Sequence, residues 1–201
     1  KIKIEYEKIL DNNSFIKESV PFQYTDRYPW KVGIELTTRC NFKCRHCYAK
    51  SLNTIDPSYD NVIQIINKLF DAGVVWLWFT GGECTLRKDF LDIYTYAKEK
   101  GFIVAILTNG SLITDEIISE FKKYPPLIVK ISQYGTSEET YKSITGSKNN
   151  FYSFIEGLER LLNNNINVAI QSVIILENQH EINQMREFCG NLNIQQNIKT
   201  T

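Results

Sequence analysis

The chain has 201 residues, 43% of them hydrophobic, with 23 Lys and Arg against 23 Asp and Glu. That length and apolar share fit one domain with a sizeable core, and the charge balance gives no reason to expect a nucleic-acid or anionic-membrane surface. The longest strictly apolar run, VVWLWF from Val74 to Phe79, is far too short for a bilayer, and the opening KIKIEYEKIL alternates charge with apolar residues where a signal peptide would be continuous.

Residues 1–30 read as an N-terminal extension and 31–201 as the core. KVGIEL is a first strand, leading into the loop CNFKCRHC at positions 40 to 47. DPSYDNVIQIINKLFDAG predicts an amphipathic helix, with Asp56 as N-cap, Pro57 at the first helical position, Val62, Ile65, Ile66, Leu69 and Phe70 on one face, and Gly73 as the stop. VVWLWF predicts a strand buried on both faces. The unit then recurs as helix LRKDFLDIYTYAKEKG, strand FIVAILT, helix TDEIISEFKKY and strand LIVKIS. A capping box at Thr136 and Glu139 opens a helical region that resumes at FYSFIEGLERLL, and strand NVAIQSVIIL and helix EINQMREFCGNL come next.

Five strands alternating with five helical regions imply right-handed crossovers and a parallel sheet, open or curled into a barrel. NIKTT stands where a sixth strand is due. The expected fold is therefore α/β with a parallel sheet whose sixth strand is missing or incomplete. NVAIQSVIIL carries neither charge nor proline, so its edge would lack the usual protection. The expectation is a core truncated at its carboxyl end within a longer protein, or an edge on strand five filled by a partner chain; a first residue that is Lys1 rather than Met also suggests a piece or a processed chain.

In parallel βα folds the ligand site gathers at the carboxyl ends of the strands. Strand one runs there into Cys40, strand two into TGGEC (80–84), strand three into TNG (108–110) and strand four into SQYG (132–135). Five cysteines, three of them clustered, fit metal or redox chemistry in a reducing, cytoplasmic setting better than a disulfide framework. Cys40, Cys44, His46 and Cys47 could bind a structural zinc ion, but two ligands one residue apart make a cramped tetrahedron, and three thiolates also suit an iron–sulfur cluster with one iron open. Gly81-Gly82 is either a tight turn or a close backbone approach to a ligand with amides exposed, and Glu83 could hold an amine. Asn109-Gly110 and Ser132 could be turn residues only. Gln171, polar within an apolar strand, needs a hydrogen-bond partner. Cys189 shares a helical face with Ile182, Met185 and Leu192 and reads as a core thiol, and Cys84 as an unliganded loop thiol.

CNFKCRHC after a first strand, with GGE after a second, resembles the radical S-adenosylmethionine (radical SAM) superfamily, whose signature is CxxxCxφC with φ usually aromatic; here φ is His46, which keeps a flat ring. The resemblance runs from about Val32 to Leu192 and implies a partial TIM-like (β/α)6 radical SAM barrel. It implies that Cys40, Cys44 and Cys47 hold three irons of a 4Fe-4S cluster, whose fourth iron takes the amino and carboxylate groups of SAM. It implies SAM contacts from His46, Gly81, Gly82, Glu83, Thr108, Asn109, Ser132 and Gln171. The implied reaction is reductive cleavage of SAM to methionine and a 5'-deoxyadenosyl radical that abstracts hydrogen from a substrate, with a flavodoxin or ferredoxin as electron donor. TGGECTLRKDF and ISQYGTSEETYKSITG resemble the peptide-modifying maturases of the SPASM-associated type, so a peptide or protein substrate is expected. The sequence contains only their core, with no SPASM domain. The alternatives are a radical SAM enzyme of small-molecule cofactor biosynthesis and a zinc-stabilised binding module without catalysis.

Overall fold

The computed structural model describes residues 29–47 and 55–200. The expected N-terminal extension lies outside the described residues except for its last two positions. Six strands form one parallel sheet in strictly sequential order: β1 Lys31–Glu35, β2 Trp76–Thr80, β3 Ile103–Thr108, β4 Ile128–Gln133, β5 Val168–Ile174 and β6 Gln195–Thr200. The connecting helices are α1 Tyr59–Asp71, α2 Phe90–Glu99, α3 Asp115–Lys123, the pair α4 Glu138–Thr145 and α5 Asn149–Asn163, and α6 Ile182–Asn191. Right-handed crossovers taken one after another place all of these helices on one face of the sheet. This is the partial (β/α)6 barrel the sequence predicts. Among the described residues no helix is long and apolar enough to cross a membrane.

The core lies between the sheet and the helices. Ile34, Leu77, Phe79, Val104, Ile106, Val129, Ile131 and Ile170 point toward the helices and are buried. Val62 and Ile66 of α1, Ile93 and Ala97 of α2 and Leu158 and Leu161 of α5 meet them at helical spacing. β2 corrects one expectation. Only Leu77 and Phe79 are fully buried, while Trp76, Trp78 and Thr80 alternate with them, half-buried, on the helix-free inner face. The bulk of two indoles made an alternating strand read as a continuous apolar run.

Two caps also differ from the expectation. The N-cap of α1 is Ser58, whose hydroxyl accepts from the Asn61 N–H, and Asp56 turns elsewhere. The N-cap of α4 is Ser137, accepting from the Thr140 N–H, so Thr136 and Glu139 form no capping box. Thr136 instead donates from both its backbone N–H and its hydroxyl to buried Glu181.

The sixth strand is formed, which overturns the expectation that it is missing or incomplete. β6 pairs with β5 from Ala169↔Gln195 to Ile174↔Thr200, so the edge of β5 is already covered within this chain. The strand begins two residues before NIKTT, and Gln195, Gln196 and Asn197 give it no apolar alternation to read. Its pairing is reinforced by a polar ladder beneath the sheet. Gln196 Nε2 donates to Ser172 Oγ at 2.9 Å, and Ser172 Oγ donates to the buried Gln133 Oε1 at 2.9 Å.

Candidate active site

The cysteine loop leaves the carboxyl end of β1 and is pinned from three sides. The Lys43 and Arg45 N–H groups donate to the Thr145 and Ile144 carbonyls at the end of α4, at 3.1 and 2.9 Å. Phe42 anchors the loop in the core. At its entry, Asp56 accepts from the Thr37 hydroxyl at 2.7 Å and pairs with the Arg39 guanidinium at 2.7 Å. That is why Asp56 is not a helix cap.

Cys40 and Cys47 are half-buried and Cys44 is buried. Burial, with the neighbouring thiols adding to it, pushes Cys44 up to about 11 and Cys40 upward, so these two thiols keep their protons until a metal displaces them. Donors already face the sulfurs. The Phe42 N–H lies 3.4 Å from Cys40 Sγ, Asn109 Nδ2 lies 3.8 Å from it, and the Tyr134 hydroxyl is hydrogen-bonded to Cys44. Such contacts suit thiolate ligands of a cluster. Among the described residues no three His, Cys, Asp or Glu side chains converge on a single ion. His46 packs its ring 5.4 Å from that of Tyr134, and burial lowers its proton affinity, so the imidazole stays neutral. Its Nδ1 is buried with no partner among the described residues.

The GGE loop docks directly onto the cysteine loop. The Gly82 N–H donates to the Thr37 carbonyl at 2.7 Å and the Glu83 N–H to the Arg39 carbonyl at 2.9 Å. A Cβ on Gly81 would stand 2.2 Å from the Thr37 carbonyl oxygen, and one on Gly82 would stand 2.3 Å from that of Arg39. Gly81 also has φ +146, a conformation that L side chains rarely adopt. Close backbone approach is thus the reason for both glycines, as one reading of the sequence has it. The approach is to the metal loop, and the Gly82 and Glu83 amides are engaged, not exposed.

Glu83 is fully buried, and both its carboxylate oxygens are occupied. Oε1 accepts from the Thr85 and Thr108 hydroxyls at 2.6 and 2.7 Å, and Oε2 accepts from the Asn109 N–H at 2.6 Å. Burial raises its proton affinity, and these donors act against that rise. Glu83 therefore braces the loop after β2 against the loop after β3. Thr108, itself buried, spends its hydroxyl on this brace. Asn109 carries the brace to the metal loop, where its Nδ2 donates to Asn41 Oδ1 at 2.9 Å while Asn41 Nδ2 donates to Ser111 Oγ at 2.8 Å. Glu83→Gln would set an amide donor against one of these N–H or O–H donors. We expect a loss of about 1–3 kcal/mol in stability together with weakened SAM binding, read by chemical denaturation and calorimetry; unchanged values in both would remove the brace from the site.

Ser132 and Gln171 are register neighbours on the inner face of β4 and β5, both half-buried, with Asn197 of β6 beside Gln171. Tyr134 joins them to the metal loop, because its buried hydroxyl is hydrogen-bonded to both Ser132 and Cys44. The structure thus gathers Cys40, Cys44, His46, Cys47, Glu83, Thr108 and Asn109 in one network and brings Ser132 to it through Tyr134. Sequence reasoning missed Tyr134, Asn41, Ser111 and Asp56. Tyr134 lies in SQYG at a strand's carboxyl end and was open to notice; the others declare themselves only once three loops are brought together. Cys189 is buried in α6, a core thiol as expected, whereas Cys84, expected as a loop thiol, lies fully buried under the GGE loop with Sγ 3.4 Å from the Leu107 carbonyl.

The chain is thus a partial parallel βα barrel that presents three thiols on its first loop, clamped by a Gly-Gly-Glu loop. Residues 34–189 match the Radical SAM superfamily, and the chain belongs to that family. It is 33% identical over 164 residues to the antilisterial bacteriocin subtilosin biosynthesis protein AlbA of Bacillus subtilis, covering 79% of this chain and 36% of the relative. It is also 33% identical over 153 residues to the Fe-coproporphyrin III synthase of Methanosarcina barkeri, covering 73% of this chain and 37% of that one. SuiB of Streptococcus suis superposes on 86% of this chain and 40% of its own with a TM-score of 0.75 at 18% identity. The chain thus spans little more than a third of the length of the first two relatives. Family membership removes the zinc-stabilised binding module from consideration.

Proposed function

We propose that this chain is the catalytic core of a radical SAM peptide maturase working in the cytoplasm. The observation that carries the reading is the clamp of Gly82, Glu83 and Asn109 on a loop of three mutually close thiols at the mouth of a helix-free sheet face. Cys40, Cys44 and Cys47 would hold three irons of a 4Fe-4S cluster and leave the fourth for the amino and carboxylate groups of SAM. When bound, that cluster supplies the electron that cleaves SAM reductively and so starts hydrogen abstraction from the substrate. Gly81, Gly82, Glu83, Thr108 and Asn109 serve SAM chiefly by fixing the two loops that frame it. His46, Ser132 and Gln171 provide the side chains left to meet it directly. Tyr134 keeps Cys44 and Ser132 in register.

A peptide substrate is favoured by the maturase-like segments around Gly82 and Gly135 and by the bacteriocin role in the name of AlbA. A small-molecule substrate is the second reading, favoured by equal identity to the Fe-coproporphyrin III synthase. The electron would come from a flavodoxin or ferredoxin, and neither nucleic acid nor membrane takes part. The test is anaerobic reconstitution, then addition of dithionite and SAM. We expect 5'-deoxyadenosine to form with methionine, and a mass change in a short precursor peptide encoded beside the gene. Iron-loaded protein that yields no deoxyadenosine overturns the activity, and cleavage of SAM with the peptide left unmodified favours the second reading.

A further inference from the structure

The inner face of the sheet holds a group of side chains that the cofactor site does not use. Trp76 and Trp78 stack in parallel, with ring centroids 6.0 Å apart and planes 11° apart, and Trp30 packs edge-on against Trp76 at 5.8 Å. These are all three tryptophans of the sequence. Lys31 Nζ sits 4.8 and 4.5 Å from the Trp76 and Trp78 rings, and Lys130 Nζ sits 4.6 Å from Trp78. Lys199 of β6 points to the same face, since it pairs with Val173 two positions beyond Gln171. Its charge and that of Lys31 are felt at Lys130, whose amine burial holds below the ordinary lysine range, with both neighbours adding to the effect.

Gathering three ammonium groups around a half-buried aromatic floor costs free energy through repulsion and desolvation, and the ring faces offset only part of it. Among the described residues none of the three lysines forms an ion pair with a carboxylate. Both indole N–H groups are buried without an acceptor among the described residues. The floor therefore gathers ammonium groups that no carboxylate of the described residues neutralises as an ion pair. Lys130 also stands two residues before Ser132 on the same face, about 7 Å along the strand from the mouth.

We infer that this floor binds a carboxylate of the substrate, held by Lys130 with Lys31 and Lys199 over the Trp76 and Trp78 rings. This rests on the proposed function, in which the inner face receives a substrate, and it names the recognition element as an acidic side chain or terminal carboxylate. The chemistry is a charge-assisted hydrogen bond in a partly desolvated site, where it is strongest.

Tryptophan emission reports on the floor directly, because the tryptophans lie there. The SAM-loaded chain is titrated with acetyl-Gly-Glu-Gly-amide, with its Gln twin, and with glutarate. We expect saturable change with the Glu peptide at least about tenfold tighter than with the Gln peptide. Lys130→Met should lose about tenfold in affinity for the Glu peptide, Lys130→Arg should keep most of it, and SAM affinity should be equal in all three proteins, which also certifies folding. Equal binding of the Glu and Gln peptides overturns the carboxylate site and leaves the peptide reading standing. Binding of glutarate but of neither peptide upholds the carboxylate site and counts against a peptide substrate. No response to any of the three, or a Lys130→Met protein that binds as the parent does, overturns the inference.

Discussion

Replacing any one of Cys40, Cys44 or Cys47 with Ala is expected to reduce iron binding to near background and to abolish SAM cleavage. The three thiols stand on one loop, close enough to interact electrostatically, with N–H or O–H donors already directed at Cys40 and Cys44. A cluster that keeps one iron open has no spare protein ligand, so each deletion leaves two irons without one. Cys189→Ala is the contrasting case. Its sulfur lies in the core 3.9 Å from Gln133 Oε1, and losing it should cost about 1 kcal/mol of stability while iron content stays full. His46→Phe should likewise retain iron, since it keeps the ring against Tyr134 and removes only the nitrogens. Iron and sulfide analysis with electron paramagnetic resonance of the reduced protein checks all five variants; a Cys40→Ala protein with a full cluster would sink the assignment.

Gly82→Ala is the second large effect. Its new methyl would stand 2.3 Å from the Arg39 carbonyl oxygen and 2.7 Å from that of Thr38, both backbone atoms of the metal loop that cannot swing aside. Either the GGE loop lifts, breaking the Gly82 and Glu83 hydrogen bonds, or the metal loop shifts beneath Cys40. We expect a loss of about 3 kcal/mol or more, with impaired cluster retention. Gly190 in α6 meets nothing within 4 Å, so Gly190→Ala should stabilise by about 0.5–1 kcal/mol through helix propensity alone. Thermal melts of the two variants give opposite signs if the docking is as described.

Much of this was legible in the sequence because it rests on local period. The continuous apolar run FIVAILT, alternation along LIVKIS, helical spacing of Val62 and Ile66, and glycines after strands are signals that neighbouring residues carry together. β6 was not legible, since Gln195 and Gln196 are held by pairing to β5 and by Ser172, partners that lie more than twenty residues away. Asp56 reads as a cap before Pro57, and tertiary ion pairing with Arg39 overrides that local preference. For Glu83 the residue was found and its geometry was not. A carboxylate after two glycines looks available for a ligand, and only the fold reveals that Thr85, Thr108 and Asn109 have taken both its oxygens.

The sequential strand order has a consequence for how the protein is made. Every strand joins the edge laid down by the one before it, so the sheet can grow in the direction of synthesis without waiting for a distant segment to return. The backbone anchors of the metal loop all fall between Thr37 and Thr145, ahead of α5, β5 and β6. At about 5–20 residues per second, the ribosome takes several seconds to deliver the residues after Thr145. The cysteine loop can therefore be folded and open to loading while the wall that carries Gln171 and Lys199 has yet to emerge.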